Sequence, residues 1–261
     1  MSGRGFGVTA GLDPEIASPL AARCQELGYS SMWSNDHPGA KGLETIAEYM
    51  EGADRIELGV AVIALDRQSP DQIASEIDRL GIDRGRLWLG LGAGFTEKPL
   101  TTMREALPAL RDALPGVRLV LAAMGPKMSA FGGAEWDGVF FNWVTPEFAA
   151  QTRERVEDGA REAGRDTPPI FAYVRTAVGS DAEGRLAKDE SLYRDMHQGY
   201  RSHFDRQGAP EGTVGVAAEN AGVAQEELSR YRALDTVVVR ALASATLEDM
   251  SALAEAAAPG V

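Results

Sequence analysis

An α/β fold of the (β/α)8 TIM-barrel type is what this sequence predicts, on three observations. The chain has 261 residues, close to the roughly 250 typical of one such barrel. With 44% hydrophobic residues it can bury one large core. Short apolar runs alternate with longer amphipathic ones from end to end, the pattern of a parallel sheet covered by helices. A single domain over residues 1–261 is therefore expected.

Eight candidate strands follow from the apolar runs: Gly5 to Thr9, Ser31 to Ser34, Ile56 to Ile63, Leu87 to Leu91, Leu119 to Ala123, Gly138 to Phe141, Ile170 to Val178 and Thr236 to Val239. Helical spacing separates each pair. In the first helix Ile16, Leu20, Cys24 and Leu27 recur at three- and four-residue intervals, and Gly28 can end it. Asp13 or Ser18 can cap its start, and Pro19, best placed at a first helical position, favours Ser18. A later helix has Ser69 as cap, Pro70 at its first position, Ile73, Ile77 and Leu80 on one face, and Gly81 as its close. Residues 180–225 are irregular, with a long polar and aromatic helix followed by a loose Gly208 to Gly215. This helical insertion reads as a solvated pair covering the barrel, with a lid or a subunit contact as the alternatives.

Charge and cysteine content exclude several classes. Basic residues number 26 and acidic ones 39, a net charge of −13, which repels polyanions and argues against nucleic acid or an anionic membrane as partner. Cys24 is the one cysteine, so neither an internal disulfide nor a thiolate metal cluster is available. No apolar stretch of membrane-spanning length occurs, and the residues from Met1 to Gly7 carry no long apolar leader core. A cytoplasmic protein is the expectation.

In a barrel of this kind the site is built at the carboxyl ends of the strands. The second strand runs into Trp33-Ser-Asn-Asp-His37-Pro38, where His37 can exchange a proton near neutral pH and Asp36 can orient a ring or accept from an N–H. The same residues also suit a plain turn. The third strand is apolar to its end and offers only a wall before Asp66. The fourth ends in Gly90-Leu-Gly92-Ala93-Gly94, whose glycines let backbone press against a flat ring, although the spacing is not the dinucleotide fingerprint. The fifth leads into Ala123-Met124-Gly125-Pro126-Lys127. Small residues here open onto a proline-started helix whose first N–H groups, with Lys127, suit a phosphate. Asn142 and Trp143 close the sixth strand, with Thr145 as the next cap. His197 and His203 are six residues apart, off a common helix face, and are read as surface or packing residues with no metal site.

Taken in order, five stretches resemble the bacterial-luciferase-like monooxygenase superfamily, and more narrowly its deazaflavin (coenzyme F420)-dependent branch. They are Leu27-Gly-Tyr-Ser-Ser-Met-Trp33 leading to Asp36-His37, Leu58-Gly-Val-Ala-Val62 with Ser69-Pro70, Gly90 to Gly94, Ala122 to Lys127, and Asp137 to Pro146. The last hundred residues match in pattern only.

The resemblance implies an oxidoreductase that passes a hydride between coenzyme F420 and a small-molecule substrate. An FMN-dependent monooxygenase and a catalytically silent ligand-binding barrel are the alternatives. It further implies that Asp36 and His37 line the reactive side of the ring as catalytic residues. Ala61-Val62 is the counterpart of a non-proline cis peptide behind the ring. Gly92, Ala93 and Gly94 approach the cofactor with backbone, Ala123, Met124, Gly125, Pro126 and Lys127 receive its phosphate, and Asn142 and Trp143 flank it. The loop after Gly94 is shorter than the family's common one, so Glu97 inherits no role. A homodimer is the family's usual state. Because such a coenzyme is anionic, Lys41, Lys98, Lys127 and Arg240 are expected to form a local basic rim.

Overall fold

The computed structural model describes residues 3–260; Met1, Ser2 and Val261 of the expected domain lie outside the described residues. Its elements are β1 (Gly3–Val8), α1 (Pro14–Glu26), β2 (Ser31–Ser34), α2 (Gly42–Gly52), β3 (Glu57–Ala64), α3 (Pro70–Arg79), β4 (Leu87–Gly92), α4 (Pro99–Ala113), β5 (Arg118–Ala123), α5 (Pro126–Glu135), β6 (Gly138–Asn142), α6 (Pro146–Glu162), β7 (Ile170–Val178), α7 (Ala182–Met196), α8 (Gln198–Gln207), β8 (Val216–Ala218), α9 (Ala221–Ser229), β9 (Thr236–Ala241) and α10 (Leu247–Ala256). Every strand pair is parallel. The ring runs β1-β2-β3-β4-β5-β6-β7-β9 and closes from β9 onto β1, a (β/α)8 barrel in which the eight expected strands are the staves. β8 was not foreseen. It pairs with the outer end of β7, Thr176 facing Val216 and Val178 facing Ala218.

Alternation along β1 shows how the lumen is filled. Phe6 and Val8 point outward into the apolar layer between strands and helices, while Gly5 and Gly7 face inward. A side chain at Gly5 or Gly59 meets Trp33, so these glycines make room for its indole. Trp33 then packs on Phe140 and Phe171 with centroids 5.0 and 5.1 Å away, and Tyr173 meets Phe140 edge-on at 4.7 Å. This aromatic plug fills the middle of the barrel, as packing density requires.

The helices start largely as their sequences dictate. Ser69 and Gln72 form a reciprocal capping box at α3, with Pro70 first in the helix. In α1 the cap is Asp13, which accepts from Glu15 N–H, and not Ser18; Pro14 takes the first position and Pro19 lies inside the helix. Two prolines compete for the start, and the earlier one has an aspartate cap in front of it.

Residues 180–225 hold a helix pair that covers the barrel, largely solvated on its outer side and anchored by a small buried face. The backbone breaks at His197 (φ −159°, ψ 142°), separating α7 from α8, and Leu186, Phe204 and Val214 form an apolar cluster with Trp143 of the β6 loop. Burying Phe204 and Leu186 contributes about 2 kcal/mol each. The pair is thereby held over the carboxyl ends of β5 and β6. Among the described residues no helix is long and apolar enough to cross a membrane.

Candidate functional site

His37 and Lys127 follow β2 and β5, so both lie at the carboxyl pole of the barrel. His37 sits in a tight turn, its backbone exchanging hydrogen bonds with Ala40 at 3.1 and 3.0 Å. Its Nδ1 accepts from Gly39 N–H at 3.2 Å, which in the neutral ring leaves the proton on Nε2. Asp36 is spent differently. Its carboxylate, 3% exposed, pairs with Arg67 at 2.5 Å and accepts from Gly42 N–H at 3.1 Å at the start of α2. The structure therefore makes Asp36 a helix cap and loop clamp that fixes the base of the His37 turn.

The Ala61–Val62 peptide is cis, and the β3–β4 register shifts between Val60 and Ile63. Ala61 and Val62 both pack on the lumen cluster there. The neighbouring glycines divide by function. A side chain at Gly90 meets the Val60 carbonyl at 2.5 Å, so Gly90 accommodates the β3 bend. Gly94 has φ +70°, and a side chain there runs into the Asp66 carboxylate, which accepts from Phe95 N–H at 3.0 Å. Gly92 lies between Val62 and Ala122, where a Cβ would come within 3.3 and 3.6 Å of their side chains, so its backbone fills the lumen side of β4 there. Ala93 corrects its expectation: it points into the outer apolar layer.

Ala123 also packs outward, and Ala122 is the lumen-side residue of β5. Beyond it Gly125 caps α5 in an extended conformation, and a side chain there meets nothing within 4 Å. Pro126 and Lys127 are exposed, and the first-turn N–H groups of α5 have no intrahelical acceptor. The Met124 carbonyl is taken by α8, 3.1 Å from His203 Nδ1 and 2.8 Å from Arg206 Nη2. His203 Nε2 in turn lies 2.9 and 2.8 Å from the carbonyls of Asn142 and Trp143. The ring is 1% exposed, and burial pulls its pKa below the ordinary imidazole value against these three carbonyl contacts.

Asn142 and Trp143, expected to flank the cofactor, are both engaged by other side chains. The Asn142 amide oxygen accepts from Arg175. Trp143, at φ 55° and 1% exposed, is enclosed by Tyr193, Phe204 and the Arg175 guanidinium 4.0 Å over its ring. The insertion closes over the end of β6 and turns both side chains inward. Of the expected basic rim, Lys41, Lys98 and Lys127 are exposed, Lys41 pairing with Glu76 at 3.4 Å, while Arg240 is folded toward the barrel over Tyr173.

Arg175 was not among the expected site residues. It is the one charge inside the otherwise uncharged β7, near its carboxyl end, and that position is the signal a reading of motifs passes over. Arg175 and Arg240 are register partners on β7 and β9. Arg175 Nε reaches Asp189 at 3.4 Å, whereas Arg240 Nη1 and Tyr173 Oη are buried with no hydrogen-bond partner among the described residues. Burial, helped by the Arg175 charge, pulls the Arg240 pKa below the ordinary arginine value. No group of acidic, histidine and cysteine side chains suited to a metal occurs among the described residues.

The mouth thus has two arcs. Val62, Gly92 and Ala122 follow one another on the lumen side of β3, β4 and β5, and beyond them Gly125 opens the start of α5. Across the barrel, on β7 and β9, lie two arginines.

Comparison with known proteins gives the same architecture. The structure of the coenzyme F420 dependent tetrahydromethanopterin reductase from Methanopyrus kandleri superimposes with a TM-score of 0.77 at 16% identity, covering 100% of this chain and 98% of that one. An F420-dependent secondary alcohol dehydrogenase in complex with an F420-acetone adduct gives 0.75 at 16% identity, covering 98% and 99%. The oxygenating constituent of a Pseudomonas putida 3,6-diketocamphane monooxygenase, in complex with FMN, gives 0.69 at 14% identity, covering 100% and 99%. In sequence, a 5,10-methylenetetrahydromethanopterin reductase from Methanolobus tindarius is 27% identical over a 199-residue alignment; the match covers 62% of this chain and 61% of that protein, less than two thirds of its length. The model of the luciferase-like monooxygenases matches residues 106–250, including the later part of the chain that the motifs leave to pattern alone. That match spans more than half of the sequence, and the chain belongs to the luciferase-like monooxygenase family.

Proposed function

We propose that this protein is an oxidoreductase that holds coenzyme F420 across the carboxyl ends of β2 to β5 and exchanges a hydride with a small organic substrate. The observation that carries it is the lumen-side row of Val62, Gly92 and Ala122 leading to the open start of α5, on the same pole as His37, which we read as the floor of the coenzyme groove. F420-dependent proteins among the structural neighbours support it.

When bound, the coenzyme supplies a ring carbon that gives or takes a hydride. Val62 and Gly92 back the ring, and the α5 N–H groups with Lys127 receive the phosphate. His37 holds a proton on Nε2 for the substrate, and Asp36 keeps its turn in position through Arg67 and Gly42. Phe95, 67% exposed, leans on His197 at 5.0 Å, so the β4 loop and the α7–α8 junction together narrow the entrance and limit water. The same reading carries a homodimer, which sedimentation checks as twice the chain mass.

Thermal shift with F420 and with FMN tests it. A ligand at a hundredfold its Kd stabilises by about 2.7 kcal/mol, and F420 is expected to do so at lower concentration than FMN. Lys127→Ala is expected to weaken F420 roughly tenfold. His37→Ala is expected to leave F420 affinity intact and to slow turnover of an accepted substrate about a hundredfold. Tighter FMN binding points to the monooxygenase alternative; binding with turnover unchanged in His37→Ala leaves the residue without a chemical role; no saturable response to either ligand overturns the proposal.

A further inference from the structure

Arg240 is the feature of the mouth that the coenzyme reading leaves unused. It lies beside Arg175 across the β7–β9 ladder, with Gly7 as its partner on β1. Gly7 carries no side chain toward the lumen, and a Cβ there sits 2.8 Å from the Tyr173 ring. Arg175 is satisfied: Asn142 and Asp189 take its guanidinium, and Trp143 stacks under it. Arg240 is not, since its Nη1 and the neighbouring Tyr173 Oη are both buried without a partner among the described residues. The two arginines and Asp189 leave this pocket one positive charge in excess. Arg240 is half-buried, and a guanidinium with one nitrogen buried and unpaired beside a second guanidinium is costly unless an anion from outside the chain pairs with it.

In the order β1-β2-β3-β4-β5-β6-β7-β9, strand β9 is four places from β4, and β7 is four from β3. Arg240 therefore faces the groove of Gly92 and Val62 from across the barrel, where a substrate meets the ring. We propose that Arg240, with the Tyr173 hydroxyl, is a recognition site for the carboxylate of a monoanionic small-molecule substrate. This rests on reading the mouth as the coenzyme and substrate chamber. One free fork and one excess charge match one planar carboxylate held by paired N–H donors, and aromatic walls disfavour a strongly hydrated dianion such as phosphate.

The test uses acetate as the carboxylate, acetamide as its neutral isostere and inorganic phosphate, each titrated calorimetrically into the full chain at low chloride. Acetate is expected to bind saturably and acetamide not at all. Arg240→Met is expected to abolish acetate binding, and Arg240→Lys, which keeps the charge but loses the fork, to weaken it about tenfold. Lys127→Ala is expected to leave acetate binding unchanged. Ligand-free Arg240→Met is expected to melt no lower than wild type, because the variant removes a half-buried charge with an unpaired nitrogen; a residue with a merely structural role lowers it. Acetate that binds Arg240→Lys as tightly as wild type overturns the site, even if Arg240→Met does not fold. So does phosphate binding that is tighter than acetate and equally dependent on Arg240, or acetate displaced by F420. F420 that binds while acetate does not ends this inference and leaves the coenzyme reading standing. Arg240-dependent acetate binding without F420 binding does the reverse.

Discussion

Asp36 shows how one side chain can be claimed by two demands. By position it belongs beside the reacting groups; by contact it belongs to Arg67 at 2.5 Å and to the first N–H of α2 at 3.1 Å. A carboxylate that both caps a helix and pairs with a guanidinium is worth more to the fold than to proton transfer, because its two oxygens are already engaged by Arg67 and Gly42. Asp36→Asn keeps the shape and removes the charge. It is expected to destabilise by about 1–2 kcal/mol, seen as a melting point roughly 2–5 °C lower, with F420 affinity within about twofold of wild type. A large loss of affinity with an unchanged melting point shows instead that the carboxylate touches the ligand. Nothing in the sequence distinguishes these roles, since Arg67 is thirty-one positions away and meets Asp36 only when β3 is laid beside β2.

At the scale of elements, the staves are legible because strands buried on both faces carry unbroken apolar runs, as in Leu119 to Ala123 and Val237 to Val239. β8 is not, being three small or branched residues within a loose segment that pairs only because β7 extends past the barrel. The break between α7 and α8 is equally silent, with neither glycine nor proline at His197; it comes from α8 docking on β5 and β6. His203 is the pin of that docking, bracketed by carbonyls on both ring nitrogens. Burial holds its pKa below that of the unfolded chain. The folded state thus loses stability once the unfolded ring begins to protonate, as pH falls below about 6.5 toward the lower folded value, and keeps it above. Relative to His203→Gln, which cannot titrate, wild type is expected to lose melting temperature between pH of about 7.5 and about 5.5. A gap that widens on acidification shows that the ring docks as imidazolium, its two N–H groups answering both sides of the bracket.

For the molecule as a whole, the proposed phosphate seat can be read along the chain because Gly125, Pro126 and Lys127 are contiguous, whereas the Arg175–Arg240 pair cannot, its members sixty-five positions apart and joined only by the β7–β9 ladder. The expected basic rim also depends on the fold, and the fold thins it: Lys41 is paired with Glu76 and Arg240 is half-buried, so Lys98 and Lys127 are the exposed lysines of the four without that pairing, within a chain of net charge −13. This bears on how an anionic coenzyme arrives. Long-range repulsion from the whole charge acts first and is screened beyond about 8 Å at physiological salt, while a contact at Lys127 is screened much less. The association rate of F420, followed by stopped-flow quenching, is therefore expected to rise as salt goes from about 10 to about 150 mM. The dissociation rate is expected to rise only modestly, because the phosphate contact is short-ranged. In Lys127→Ala the association rate is expected to keep its salt dependence, and dissociation is expected to be faster at every concentration. An association rate that falls with salt means that a local positive field steers the ligand in spite of the total charge, and that cations beyond Lys98 and Lys127 shape the approach.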